Sequence, residues 1–223
     1  RQPVQLSDAN LRSNFPWGDT MPLPKPDNTF RLYGLNPNGF RLDKKGGDVT
    51  KFFVMAASIK ADVVGCAEHN LDFTQFRVQN TAYQAIRQTV EHSKAVWSTT
   101  PTTFEHNYKP GGTMNCILGN AVARVKEVGS NDLGRWSYIK LRGKAHRIVT
   151  FITVYQVCKK QHTSSNKAKC TAHSQQRSLL AQRNQQDPSP IKHFRKDLNA
   201  FLKASHDNNE LIILFGDFNE VLG

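Results

Sequence analysis

From Thr29 the stretch TFRLYGLNPNG alternates apolar and polar residues and then breaks at a Pro-Asn-Gly turn. A period of two predicts a strand that ends there. Val49, Phe52, Phe53, Ala56 and Ile59 then recur at helical spacing behind Asp48, which predicts a helix capped by that carboxylate. The run DVVGCAE predicts a short buried strand, and Phe76, Tyr83, Ile86 and Val90 predict a second amphipathic helix. Both helices are expected to pack on a sheet.

After KAVWSTT the pattern becomes a meander. GTMNCILG, AVARVKEVG, RWSYIKLRG and AHRIVTFITVYQV read as extended segments joined by short turns, one of them the tight Arg142-Gly143-Lys144. Val157 to Gln186 reads as a polar insertion rich in Lys, Ser, Gln and Asn. Ser189 is placed to cap a helix with Pro190 in its first turn and an apolar stripe of Ile191, Phe194, Leu198, Phe201 and Leu202. A last strand, LIILF, runs into the turn GDFNE. Residues 1–28 hold five prolines and no sustained period, so they read as a tail or linker, and residues 29–223 as one α/β domain with a mixed, largely antiparallel sheet.

Composition narrows the setting. A chain of 223 residues can enclose one large core, and no run approaches the ~18–20 apolar residues of a membrane span. Cys66, Cys116, Cys158 and Cys170 form no C-x-x-C pair, so reduced thiols in an intracellular compartment are expected. The chain begins at Arg1 with no charged-then-apolar leader, and a truncated start is expected. The net charge of +12 is unevenly spread: residues 133–186 carry 11 basic residues and no acid, whereas the rest carries 19 basic and 18 acidic residues. That segment is either a solvated basic surface or a polyanion-binding face.

Polar groups stand at the ends of four apolar strands: Asn36 and Asn38, then Glu68, then Tyr155, then Asp217 with Asn219. Strand ends of open α/β sheets converge on one crevice, so residues remote in sequence can meet there. Mg²⁺ favours one or two carboxylates and keeps several waters, which suits Glu68 with Asp217 and a neutral Asn36. Tyr155 and Asn219 can donate to a phosphoryl centre as its charge builds, and Asp217 can orient or deprotonate a water.

The segments LNPNG, CAEHNL, TVYQV and FGDFNE, in that order, resemble the strand-end signatures of the endonuclease/exonuclease/phosphatase superfamily. LNPNGF, Gly111-Gly112, TAHSQQRSLLAQR and GDFNE look most like the endonuclease domains of LINE-type (non-LTR) retrotransposons. The resemblance implies a four-layered α/β sandwich of two mixed, largely antiparallel sheets flanked by helices, incomplete at its C-terminus. It implies a Mg²⁺-dependent phosphodiesterase, Mn²⁺ being an alternative ion, that nicks duplex DNA during retrotransposon insertion. A reverse-transcriptase domain in the same polyprotein and a nuclear location follow from that setting, with no membrane partner. Asn36, Tyr155, Asp217 and Asn219 would be catalytic, Glu68 and Asp217 would hold the metal, and Asn38 would position phosphate. Lys159, Lys160, Lys167 and Lys169 would track the DNA backbone.

The superfamily also uses a histidine in a Ser-Asp-His-like segment, and none of the eight histidines stands in that context. The sequence as given is therefore expected to lack the last strands of the domain and to be catalytically impaired. A non-catalytic nucleic-acid-binding remnant and a phosphatase or lipid phosphodiesterase of the same superfamily are the alternative readings.

Overall fold

A computed structural model describes residues 25–101, 109–158 and 171–220. The first sheet has the order β1 (Leu32–Leu35), β2 (Val63–Ala67), β4 (Thr113–Leu118), β3 (Ser93–Ser98). The second has the order β5 (Val125–Ser130), β6 (Trp136–Arg142), β7 (Ile148–Tyr155), β8 (Leu211–Asp217). In both sheets the pair that reaches the predicted site is parallel, β1 with β2 and β7 with β8, and the other pairings are antiparallel. Among the described residues β1 and β8 are the outermost strands of their sheets, and they lie on the same side.

Helices cover the outer faces and complete four layers. α1 (Gly47–Ser58) and α2 (Phe76–Thr89) bury Val49, Phe52, Phe53, Ala82, Ala85 and Ile86 against Val64, Cys66, Met114 and Cys116 of the first sheet. α4 (Pro190–Asp207) presses Phe194 and Leu198 onto Trp136, Ile152 and Val154 of the second. Between the sheets, Val63 and Ile117 meet Ile139, Leu141 and Phe151. Alternation along β2 explains its fully apolar sequence: Val64 and Cys66 face helices while Val63 and Gly65 face the other sheet. Each large side chain buried this way stabilises the fold by about 1.5–3 kcal/mol.

Several sequence expectations need correction. Gly46, in the left-handed conformation, takes the N-cap position of α1, and Asp48 sits inside the first turn, where it accepts from the Arg41 amide at 3.0 Å and from Lys51. Its charge there still favours the helix N-terminus. Phe76 and Tyr83 are exposed, because α2 turns Val78, Ala82, Ala85 and Ile86 inward instead. Ser189 holds the N-cap position of α4 without a side-chain cap bond. The polar stretch 157–186 contains α3 (Ala172–Gln182), started by Thr171, whose hydroxyl accepts from the Ser174 amide at 3.1 Å. The predicted turn at Arg142-Gly143-Lys144 is longer, with Lys144–His146 forming a 3-10 turn.

One glycine sets how closely the sheets approach. A Cβ on Gly65 would lie 2.3 Å from Thr153 Oγ1 and 2.5 Å from Phe215 Cε2, so those side chains occupy the space that any larger residue would need. Overpacking at such a contact costs typically 1–3 kcal/mol. Gly65→Ala is expected to lower unfolding free energy in urea by about 2 kcal/mol, and Thr153→Ala is expected to recover part of that loss; an unchanged midpoint in the single variant would contradict the close approach.

Candidate functional site

The loops after β1, β2, β7 and β8 meet at one end of the sandwich. Asn36 Oδ1 accepts from the Asn38 amide at 2.8 Å, an Asx turn that fixes which way the carboxamide faces. Its Nδ2 group then donates to Asp217 Oδ2 at 2.6 Å and to Glu68 Oε2 at 3.3 Å. One neutral amide therefore joins a carboxylate from each sheet.

Glu68 holds a left-handed backbone, φ 60°, uncommon for a residue with a side chain. Strong backbone contacts impose it: its amide donates to Gly112 O at 2.7 Å and its carbonyl accepts from Gly39 N at 2.8 Å. Asn70, also left-handed and buried, ties down the following residues through Gly111 N to Asn70 Oδ1, 2.6 Å, and Asn70 N to Gly111 O, 3.0 Å. Outlying conformations of this kind cost about 1–3 kcal/mol each and persist where surrounding structure over-determines them.

Beneath the loop lies a buried pair, Lys109 Nζ to Asp72 Oδ1 at 3.2 Å, with neither side chain reaching solvent. Burial opposes the charge on each partner; for Asp72 the Thr74 hydroxyl and amide and Lys109 together outweigh it and hold the carboxyl below its ordinary range. Removing one partner would strand a buried charge, so this pair locks the loop even if its net contribution to stability is small.

Tyr155, at the end of β7, donates its hydroxyl to Glu68 Oε1 at 3.3 Å. Burial pushes its phenol pKa up, and the nearby Glu68 carboxylate pushes it further, so the hydroxyl stays protonated and acts as a donor. The ring lies against Gly111, where a Cβ would sit 3.1 Å from Tyr155 Cε1; with φ 84° as well, that position suits glycine.

Asp217 also accepts from the Asn219 amide at 2.9 Å. The Asn219 side chain is turned away from the carboxylates: Nδ2 donates to Gln156 O at 2.6 Å and Oδ1 accepts from Cys158 Sγ at 2.9 Å. The structure thus brings Asn36, Glu68, Tyr155 and Asp217 into one cluster, with Asn219 clamping the two C-terminal loops and Asn38 contributing its amide to the Asx turn. Lys159, Lys160, Lys167 and Lys169 lie outside the described residues.

Sequence patterns did not single out Gln156, Cys158, Asn70 or the Lys109–Asp72 pair. Gln156 is buried and donates to Phe218 O at 2.8 Å and Glu220 Oε1 at 2.6 Å, which ties β7 to the chain beyond β8. Its position directly after Tyr155 was the available signal. Asn70 and Asp72 likewise follow Glu68 by two and four residues.

Among the described residues no three His, Cys, Asp or Glu side chains group to hold a metal. The cluster itself offers two carboxylates, an amide and a hydroxyl at a partly open rim. Oxygen donors with few charges and room for water suit a hard divalent ion such as Mg²⁺. Neutral donors, the Asn36 amide, the Tyr155 hydroxyl and the Asn219 backbone amide, compensate two converging carboxylates only weakly, and a cation would offset their repulsion far better.

No family model and no curated protein matches the sequence. Solved structures of similar shape include an endonuclease/exonuclease/phosphatase family protein from Leptotrichia buccalis, at 12% identity and TM-score 0.47, covering 86% of this chain and 69% of the other. A 3′ phosphatase from Neisseria bound to a product DNA hairpin gives 16% identity and TM-score 0.48, over 86% of this chain and 58% of the other. An AP endonuclease from Archaeoglobus fulgidus gives 13%, TM-score 0.46, and 85% and 57% coverage. The chain spans less than two thirds of the length of the last two. At these values the likeness carries no inference about what this chain binds or catalyses.

His69, next to Glu68, points into the core rather than the site. Its Nδ1 accepts from the Leu71 amide at 3.0 Å and Nε2 lies 3.2 Å from Ser98 O, which selects the neutral Nε2–H tautomer. Burial lowers its pKa from 6.5 to about 4. Below pH 6.5 the unfolded chain binds this proton and the folded one does not, so stability is full above that pH and falls as pH drops toward about 4. The loss attributable to His69 is expected to reach about 3 kcal/mol. Denaturant titrations across that range should show the slope, and His69→Gln should flatten it.

Proposed function

We propose that the cluster is the metal-binding and phosphate-binding part of a divalent-cation-dependent phosphodiesterase of the endonuclease/exonuclease/phosphatase type, acting on DNA. One observation carries this reading: Glu68 from the first sheet and Asp217 from the second share the Asn36 amide, with a protonated Tyr155 hydroxyl on Glu68. Glu68 and Asp217 would hold Mg²⁺ or Mn²⁺, and when bound the ion would supply Lewis-acid stabilisation of phosphoryl charge. Asn36 keeps the two carboxylates in register without adding a negative charge near the phosphate. Tyr155 donates a hydrogen bond to a phosphoryl oxygen, and this accelerates the reaction to the extent that the bond strengthens in the transition state. Asp217 orients the attacking water.

The motif order further supports a LINE-type endonuclease setting, with nicking of chromosomal DNA and a reverse-transcriptase domain as partner in the same polyprotein. Residues 1–223 contain no Ser-Asp-His-like segment, so slow turnover is proposed for this polypeptide by itself.

Mn²⁺ binding followed by electron paramagnetic resonance, together with supercoiled-plasmid nicking, tests the assignment. Glu68→Gln and Asp217→Asn are each expected to weaken Mn²⁺ affinity at least ~10-fold, a loss of about 1.4 kcal/mol. Tyr155→Phe should leave affinity within about 3-fold and lower any nicking rate about 10²-fold, the usual size for one transition-state donor. Wild-type Mn²⁺ affinity in both carboxylate variants would overturn the site.

A further inference from the structure

We propose that the end of the sandwich opposite the carboxylate cluster is a second anion-binding surface, suited to the phosphodiester backbone of a nucleic acid. The register of the second sheet builds it. Val125 pairs with Leu141, and Arg142 with Ile148, so Arg124, Arg142, Lys144 and Arg147 emerge together where β5 begins and where β6 turns into β7. All four are exposed, and among the described residues none of them joins an ion pair.

Arg135, Lys140 and Arg183 of the acid-free stretch are already neutralised. Arg135 donates to Asp197 at 2.6 Å, Lys140 to Glu210 at 2.8 Å, and Arg183 to Asp132 at 2.6 Å. Of the acids toward this end, Glu210 also accepts from Thr150, Glu127 accepts from Tyr138 and lies 3.7 Å from Lys140, Asp62 holds Lys25 and the Arg31 amide, and Glu91 lies 3.9 Å from His92. Three of that stretch's 11 basic residues, Arg142, Lys144 and Arg147, thus stand with Arg124 at this end, outside any ion pair among the described residues.

The surface is also rigidly presented. The Arg124 guanidinium lies 6.0 Å from the Phe30 ring centroid, and Phe30 stacks on Phe151 at 6.2 Å. In the turn, Gly143 N donates to Arg147 O at 2.6 Å, and Ala145 and His146 hold left-handed backbones, φ 54° and 59°. Three of the four cations are arginines, whose planar guanidinium groups match phosphate oxygens in pairs. They project from strand ends and a short turn, not from an amphipathic helix of the kind that lies in a lipid interface.

β7 spans eight residues between the hairpin and Tyr155, which puts about 25 Å between the basic surface and the carboxylates. That is roughly seven nucleotide steps along a strand. The contact is therefore an anchor for nucleic acid away from the reacting phosphate, and it does not depend on the metal assignment.

Fluorescence anisotropy with a 20-base-pair duplex and a 20-nucleotide single strand, in EDTA and across a salt series, tests the proposal. The triple variant Arg142→Gln, Lys144→Gln, Arg147→Gln is expected to raise Kd about 10-fold or more and to reduce the salt slope by about 2–3, one per lost phosphate contact. A control with equal charge loss at exposed sites elsewhere, Lys44→Gln, Lys196→Gln, Lys203→Gln, should shift Kd less than about 3-fold, and both variants should melt as wild type. Equal losses in the two triples would overturn the proposal by showing only a diffuse charge effect. Retained nucleic-acid affinity with lost binding to phosphatidylserine vesicles would overturn it in favour of a lipid surface.

Discussion

The strand-end cluster exists because two sheets come close enough for their strand ends to share hydrogen bonds. Gly65 in β2 admits the Phe215 ring and the Thr153 hydroxyl, and Gly34 in β1 lies against the same ring. Phe215 stands two residues before Asp217, and Gly65 three before Glu68. The contact that spaces the sheets is thus built from the same strands that carry the carboxylates. A bulkier pair there would move Glu68 and Asp217 apart without altering either.

Order at the rim is maintained by groups that never face it. Glu68 and Asn70 hold left-handed conformations, opposed by local sterics and imposed by bonds to Gly39, Gly111 and Gly112. Underneath, His69 is neutral and buried among Phe73 and Trp97, and Asp72 and Lys109 pair out of contact with water. Those groups lower tolerance to acid and to substitution, and in exchange the Glu68 carboxylate has few directions available to it.

Much of this was legible from residue order. Strand and helix periods marked the layers, since a sheet buried on both faces needs the near-continuous apolar run seen in β2 and a surface helix needs a stripe. The strand-end residues Asn36, Glu68, Tyr155 and Asp217 stood out because polar groups follow apolar runs there. Asn219 was visible as a residue but not in its orientation, which depends on Gln156 and Cys158 from the segment that follows β7. Pairing of distant charges was equally hidden. Nothing in the local sequence says that Arg135 meets Asp197 or that Lys140 meets Glu210, so the basic segment read as uniform when, among its described residues, the fold separates such paired cations from the hairpin-end cations that join no ion pair.

Among the described residues, β1 and β8 each pair with a strand along one side only, yet they supply Asn36 and Asp217, the residues that close the cluster. Strands with a free flank fray most readily, and fraying of either would part the two halves of the cluster. Any ligand gripping both carboxylates would consequently act as a latch between β1 and β8, tightening two sheets that elsewhere meet mainly through apolar contact, and occupancy would register as slower opening of backbone far from the ligand itself.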